Sequence, residues 1–224
     1  MIDVPPLRLR GFHALVGTGP WLDLLDAGVR QGFSRGATLI RQGDPGTDVL
    51  ALVAGRVKVV AGNADGAGLL TALRGPGDLV GELARPVTGR TATVVAIDDC
   101  AVARLSAAGF RRFLEQRGHV GSLQDYLVAK LSETVPFQVQ LVHLSARQRI
   151  ARLLIELVSL TDPADPHRMR IPLSQEKIAE ALGVVRSTVS EQLAVLRDSG
   201  ALGPGPRVVV RDLAELTIHA GLRL

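Results

Sequence analysis

The sequence has few of the residues that form disulfides, metal clusters and aromatic cores. Its 224 residues include one cysteine, Cys100, which excludes an internal disulfide and any metal or iron–sulfur site that needs several cysteines. Aromatic residues make up 3% of the chain and hydrophobic residues 46%, so aliphatic side chains must fill the core. A chain without disulfides fits a reducing compartment, and we expect this protein to be cytoplasmic.

Long apolar segments are also missing. No run approaches the roughly 20 apolar residues that span a bilayer, and the proline- and arginine-containing start of the chain lacks the apolar core of a signal peptide. We therefore expect no membrane partner. The net charge is +4, and arginine carries most of the positive charge because lysine occurs only at Lys58, Lys130 and Lys177. This excess weakly favours an anionic partner such as nucleic acid.

The patterns that mark common enzymes are absent. The sequence shows no Ser-His-Asp constellation, no P-loop and no dinucleotide fingerprint, so we expect no catalytic residues. The histidines are scattered without the spacing of metal ligands, and we expect no metal site. A haem sensor in which one histidine is the axial ligand remains an alternative. The five histidines are His13, His119, His143, His167 and His219.

The N-terminal half has a sequence pattern typical of a β domain. From Phe33 to about Leu105, short apolar runs alternate with glycine-rich turns, which predicts an all-β sandwich, roll or barrel. Before this region, the spacing of Leu22, Leu25 and Val29 predicts a helix. After it, Ser106 predicts the N-cap of another helix.

A long helix is predicted to follow, from about residue 119 to 143. One interpretation packs this helix on its own β domain, and the other makes it the seam of a homodimer, which the few local partners favour. Pro136 lacks a backbone donor and should kink or break the helix. The apolar residues that follow a seven-residue repeat are Val128, Leu131, Val135 and Val142.

The C-terminal region predicts two short helices joined by a tight turn. Ser174 is placed to cap the first helix and Gly183 lies at the turn. A strand before this pair and a "RVVVR" strand after it would form a wing, where Arg207 and Arg211 could reach phosphates. An ordinary helical hairpin is the alternative, but the order of elements favours DNA binding. The second helix carries candidate base-contacting residues at its start: Arg186, Ser187, Thr188, Ser190 and Glu191.

Three segments in this order resemble the Crp/Fnr family of bacterial transcription regulators, also called the catabolite activator protein family. They are "GDPGTDVLALVAGRVKV", "GDLVGEL…RTA" and "QEKIAEALGVVRSTVSEQLAVLRDSGAL", and the resemblance covers roughly residues 20–218. It implies an α+β fold with a cyclic-nucleotide-binding, jelly-roll-like β roll in residues 1–118. It further implies a dimerisation helix in residues 119–143 and a winged helix-turn-helix in residues 144–224. The implied partners are a second copy of the chain, a pseudo-palindromic DNA duplex and RNA polymerase; a ligand-sensing module that does not bind DNA is the rival.

The resemblance also implies a binding site for cyclic AMP or a related nucleotide, with no covalent cofactor. In this interpretation Glu82 accepts a hydrogen bond from a ribose hydroxyl and Arg90 pairs with the phosphate. The alternative is that Glu82 and Arg90 pair with each other in a pocket that no longer takes cyclic AMP. The implied ligand-binding residues are Gly81, Glu82, Leu83, Arg90, Thr91 and Thr134, and the implied DNA-binding residues add Ser174 and Arg207 to those of the second helix.

The sequence departs from the family pattern at both sites. The loop after Glu82 is about two residues shorter and contains Arg85-Pro86, and Val135 replaces a serine that reaches the base in the cyclic-AMP receptor. We therefore expect an anionic, nucleotide-like ligand with altered base recognition. In the second helix, Ser187 and Glu191 replace an acid and an arginine of the usual motif. We therefore expect an operator that differs from the usual family half-site.

Overall fold

The structure is a computed structural model that describes residues 9–62, 68–83 and 89–222, without the side chains of residues 134–142. Within these ranges, eight strands and three short helices precede a long helix, and four helices follow it. The strands are β1 (Val29–Phe33), β2 (Thr38–Ile40), β3 (Asp48–Ala54), β4 (Val57–Gly62), β5 (Gly68–Arg74), β6 (Leu79–Val80), β7 (Thr93–Ala96) and β8 (Cys100–Ser106). The helices are α1 (Gly11–Val16), α2 (Thr18–Asp26), α3 (Ala107–Arg117), α4 (Val120–His143), α5 (Ala146–Ser159), α6 (Gln175–Leu182), α7 (Arg186–Asp198) and α8 (Leu213–His219).

The eight strands form a β roll of two four-stranded antiparallel sheets. Their strand orders are β1-β8-β3-β6 and β2-β7-β4-β5. Apolar side chains from both sheets meet in one core, in which Leu50 and Leu52 of β3 face Val57 and Val94 of the second sheet. The α+β fold with an N-terminal β roll, which the sequence predicted, is confirmed.

Helices α1 to α3 cover the sheet that contains β3, and α4 joins them through Tyr126. The predicted helix before the β roll is correct in kind but wrong at its end, and of the three residues that marked it Leu25 alone is buried in the helix. The helix ends at Asp26, and Val29 begins β1 instead. Trp21 and Leu24 face the core, whereas Leu22 is 52% exposed. Val29 fitted the helical spacing by chance, because residues spaced at three or four also occur where a strand begins.

The long helix α4 has 24 residues, which corresponds to a length of about 36 Å. It continues through Pro136, so the predicted break at that residue is wrong. A kink there remains a prediction. Among the described residues, no helix is both long and apolar enough to cross a membrane.

The wing of the C-terminal half is smaller than the sequence suggested. In place of two full strands, isolated bridges join Arg170 to Val209 and Leu202 to Val210. Prolines nearby lack backbone donors, which limits the ladder that these segments can form. These prolines are Pro172, Pro204 and Pro206.

The β roll and the helix-turn-helix half (α5–α8) pack directly against each other. Leu70 and Leu73 of β5 belong to the same hydrophobic cluster as the helices of that half. Arg56, just before β4, pairs with Asp98 (Nε to Oδ2, 2.6 Å) and donates through Nη1 to the Leu157 carbonyl of α5 at 2.7 Å. A buried arginine therefore fixes the end of α5 to the β roll.

Candidate ligand pocket and nucleic-acid interface

The backbone after β6 turns sharply at Gly81. Its φ is +90°, and a Cβ there would lie 2.6 Å from Arg90 Nη1 and 3.0 Å from the Asp48 carbonyl oxygen. Both the left-handed conformation and this close approach require glycine. Gly81 therefore allows the Arg90 guanidinium to lie directly against the backbone.

Arg90 is 7% exposed and its side chain is held by backbone carbonyls. Nη1 donates to the Gly81 oxygen and Nη2 donates to the Asp48 oxygen, each at 2.7 Å. Burial lowers the pKa of Arg90, while the carboxylates of Asp48 and Glu82 oppose that shift. An arginine stays charged in proteins, so the pocket wall carries a fixed positive charge that suits an anion.

Glu82 pairs with Lys130 of α4 rather than with Arg90. Lys130 Nζ lies 2.5 Å from Glu82 Oε1, donates to the Leu79 carbonyl at 2.8 Å and sits 4.8 Å from the centre of the Tyr126 ring. Burial lowers the pKa of Lys130, and Glu82 opposes that shift. The sequence-based alternative, in which Glu82 and Arg90 pair with each other, does not describe this site.

The second carboxylate oxygen of Glu82 differs from the first in its hydrogen bonding. The Glu82 side chain is 2% exposed, and its Oε2 atom finds no hydrogen-bond donor among the described residues. A buried acceptor without a donor is costly, because it has lost its water without gaining a partner. A ligand hydroxyl could supply the missing donor.

Tyr126 anchors α4 to the segment that leads into β6. Its hydroxyl donates to Asp78 Oδ1 at 3.0 Å and accepts from the Leu79 N–H at 2.9 Å. Burial raises the pKa of Tyr126, and the nearby Asp78 adds to the shift. Neither Tyr126 nor Lys130 was singled out from the sequence. Their spacing of four residues places them on one face of α4, and that spacing was the available signal.

The structure brings five of the six predicted ligand residues to one cavity of about 70 Å³. The side chain of Thr134, the sixth, lies outside the described residues, as do Arg85-Pro86 and their loop. Strand β4 contributes Val59 and α4 contributes Lys130 to the same cavity. The five residues are Gly81, Glu82, Leu83, Arg90 and Thr91.

The helix-turn-helix is formed by α6 and α7. Ser174 caps α6 by accepting a hydrogen bond from the Lys177 N–H at 3.2 Å, and Gly183 ends the helix in the left-handed conformation with φ +62°. Both features agree with the sequence prediction. Val185 is the N-cap of α7 and makes no side-chain hydrogen bond to that helix. The buried contact between the two helices includes Ile178, Leu182, Val189, Leu193 and Leu196.

The predicted base-contacting residues line the start of α7. Arg186, Ser187, Ser190 and Glu191 are exposed and Thr188 is half-buried. An exposed N-terminal face of the second helix is the geometry that enters the major groove.

The remaining predicted DNA contacts lie elsewhere. Ser174 and Arg207 line a cleft of about 2000 Å³ between the β roll and the helix-turn-helix half. Arg35 of the β roll reaches across this cleft and donates to the Pro172 carbonyl. The predicted DNA-contacting residues therefore divide between the exposed start of α7 and a cleft that faces the β roll.

Comparisons with known proteins match both halves of the chain. Residues 30–117 match the cyclic nucleotide-binding domain, and residues 148–217 match the Crp-like helix-turn-helix domain. This chain belongs to the Crp/Fnr family of transcription regulators. It is therefore a Crp/Fnr-type DNA-binding regulator, from a family whose members are not enzymes.

Three relatives illustrate the similarity. The CRP-like cAMP-activated global transcriptional regulator of Mycobacterium tuberculosis is 27% identical over 193 residues, which cover 84% of this chain and 86% of the relative. The transcriptional activator protein FnrL of Cereibacter sphaeroides is 27% identical and covers 96% of this chain and 90% of its own length. A solved CRP-family regulator from Thermus thermophilus has a TM-score of 0.71 and 28% identity, and covers 85% of this chain and 96% of its own length.

Proposed function

We propose that this regulator binds an anionic, nucleotide-like ligand in the β roll and that the ligand controls its DNA binding. One observation carries the proposal: Glu82 Oε2 is buried in the same cavity as Arg90 and has no hydrogen-bond donor within the described part of the chain. A ribose hydroxyl is a donor and a phosphate is an anion. A ligand with both groups would satisfy Glu82 and Arg90 at once.

Cyclic AMP or a related cyclic nucleotide has this chemistry. We place its phosphate at Arg90, with the Thr91 hydroxyl as a further donor, and its ribose at Glu82. The name of the Mycobacterium tuberculosis relative describes it as cAMP-activated, which supports this ligand class. The departures at Val135 and in the loop with Arg85-Pro86 favour selectivity for a base other than adenine.

Two connections in the structure support allosteric control. Successive residues of β4 point to opposite faces of the sheet, so Val59 lines the cavity while Lys58 pairs with Glu180 of α6 at 3.4 Å. The second connection is the ion pair between Glu82, which lines the cavity, and Lys130 of α4. A ligand that displaces Val59 or Lys130 would move groups that contact α6 and α4. Such a ligand shifts the equilibrium only as far as it binds one arrangement more tightly than the other.

We further propose that α4 forms the seam of a homodimer. Val128 and Leu131 lie on this helix and are 62% and 64% exposed, which is unusual for large apolar residues three positions apart on one face. Two copies would present two α7 helices to the half-sites of a pseudo-palindromic operator, about one helical turn of DNA apart. RNA polymerase, as a further partner, and a cytoplasmic location remain proposals.

A ligand panel tests the proposal for the pocket. Purified protein is titrated with cyclic AMP, cyclic GMP and cyclic dinucleotides, and binding is followed by thermal shift and calorimetry. A true ligand raises the apparent stability by RT ln(1 + [L]/Kd). Arg90→Ala should abolish the effect, whereas Arg117→Ala should retain it, because Arg117 is an exposed arginine that pairs with Asp23 outside the cavity.

The same cavity supports a second candidate. Lys130 already neutralises one oxygen of Glu82, and the cavity volume of about 70 Å³ is small for a nucleotide. A regulator whose pocket is filled by its own side chains would bind DNA without cyclic AMP or respond to another effector. Absence of any shift across the panel, together with intact DNA binding, would establish this candidate and contradict the first.

A further inference from the structure

We infer that Glu176 is a positioning residue for Arg186 and sets the direction from which this arginine reads a base. The inference rests on the proposed contact of Arg186 with DNA and deepens it. It assigns a determinant of operator specificity to a residue of α6, outside the helix that enters the groove.

The two residues face each other across the helix-turn-helix. Glu176 lies in the first turn of α6 and Arg186 is the first residue of α7, and Arg186 Nε lies 3.1 Å from Glu176 Oε1. The Arg186 side chain is 68% exposed. Among the described residues, Glu176 is its only ion-pair partner.

Glu176 lies in a helix start that is itself capped. Ser174 caps α6 by accepting a hydrogen bond from the Lys177 N–H, and Glu176 belongs to the same first turn. The backbone N–H at this helix start lowers the pKa of Glu176, and Ser174 and the charge of Arg186 lower it further. Arg186 therefore pairs with a carboxylate that stays charged and whose backbone position is set by the capped helix.

The geometry of the guanidinium gives this pair a consequence for base recognition. An arginine reads guanine by donating two parallel hydrogen bonds to O6 and N7. Glu176 lies against Nε, which leaves the two Nη groups available for such a bidentate contact. Holding the long side chain in one arrangement before binding also reduces the entropy lost on DNA contact.

The negative charge of Glu176 should also weaken DNA affinity while it improves base specificity, so the two effects can be measured separately. A carboxylate at the DNA-facing side of α6 repels phosphates and weakens the sequence-independent part of binding. A residue that only stabilised the start of α6 through the helix dipole would affect folding, not base preference. The positioning role therefore predicts that removal of the charge weakens discrimination at one base pair and strengthens non-specific binding.

The experiment selects binding sites from DNA duplexes with a randomised central segment and compares five proteins. They are the wild type, Glu176→Gln, the contact variant Arg186→Ala, the double variant Arg186→Ala, Glu176→Gln and the control Asp198→Asn. Glu176→Gln keeps the shape and removes the charge. Asp198→Asn removes one exposed charge at the far end of α7.

For Glu176→Gln we expect a loss on the order of five-fold in guanine preference at one position of each half-site, the position that Arg186→Ala also affects. Non-specific affinity for duplexes that lack this site should rise about two-fold or more. Asp198→Asn should keep the wild-type base preferences. In Arg186→Ala, adding Glu176→Gln should change base preference no further, which is the signature of an effect exerted through Arg186.

Three outcomes overturn the inference. If the wild type enriches a site and Glu176→Gln enriches it with the same preferences, Glu176 does not position Arg186. If Glu176→Gln changes the base preferences equally in the presence and absence of the Arg186 side chain, Glu176 does not act through Arg186. If the wild type enriches no site at all, the proposed DNA contact fails as well, which distinguishes the two failures.

Discussion

Lys130 Nζ lies 2.5 Å from Glu82 Oε1, and this contact joins the end of β6 to the long helix α4. Both side chains are largely buried, at 12% and 2% exposure. The ion pair therefore connects the pocket directly to the proposed dimer helix. A ligand that competes for Glu82 therefore acts on α4 directly.

Replacement of Lys130 by methionine should destabilise the protein by about 3 kcal/mol, because it removes the direct ion-pair partner of the buried Glu82 carboxylate. The double variant Lys130→Met, Glu82→Gln should recover much of the loss, since neither member of the pair is then a buried charge. Urea unfolding of the single and double variants measures both effects. A change below about 0.5 kcal/mol in Lys130→Met would show that the ion pair does not hold α4 to the β roll.

Gly81→Ala should destabilise the protein more than replacement of a glycine that has a positive φ but no close neighbours. The new Cβ would meet Arg90 and the Asp48 carbonyl, and the backbone would have to keep a φ of +90°. Gly36→Ala is the matched control, because its φ is +83° and nothing lies within 4 Å of its Cβ. We expect about 1 kcal/mol for the control and at least about 2 kcal/mol for Gly81→Ala. Equal losses in denaturant unfolding would contradict the close packing of Arg90 against Gly81.

The stability of the protein should depend on the ionisation of Glu156 in α5. Burial raises its pKa to about 7, against the opposing charge of Arg74. The folded state therefore holds a proton between about pH 4.5 and pH 7 that the unfolded state has released, and the contribution of this group to stability falls as the pH rises through that window. Above pH 7 the loss is complete, on the order of 3 kcal/mol.

Glu156→Gln removes this titration. The free energy of unfolding of the variant, relative to the wild type, should increase between pH 5 and pH 8. Comparing the two proteins at each pH cancels the contributions of the other acids. A difference that stays constant over this range would show that Glu156 has an ordinary pKa.

A cap at the start of α7 should stabilise the helix-turn-helix half. Val185 is 66% exposed and offers no acceptor to the first turn of α7. Val185→Ser supplies one and should raise the free energy of unfolding by about 1 kcal/mol. Val185→Ala is the control that removes the apolar side chain without adding an acceptor. Equal stability of the two variants would show that the first turn of α7 does not need a cap.

Local signals in the sequence predicted local structure well. The caps at Ser106 and Ser174 and the left-handed turn at Gly183 depend on neighbouring residues only, and each is present. The resemblance to the family supplied Gly81, Glu82 and Arg90. The helix boundary at Val29 failed, because its spacing fits a helix and a strand start equally well.

Contacts between distant residues could not be predicted in the same way. Lys130 and Glu82 are 48 positions apart, and no local pattern links them. The same holds for Arg56, which reaches the Leu157 carbonyl 101 positions away. These contacts depend on how α4 and α5 pack against the β roll. The sequence showed that the helices exist but not which of their faces meet the strands.

The most direct test of the account is the affinity for a selected operator duplex, measured by fluorescence anisotropy with and without each cyclic nucleotide. We expect one nucleotide to change the operator affinity of the wild type by about five-fold or more. In Arg90→Ala the affinity should stay the same whether or not the nucleotide is present. A wild-type affinity that no nucleotide changes would contradict ligand control through the β-roll pocket.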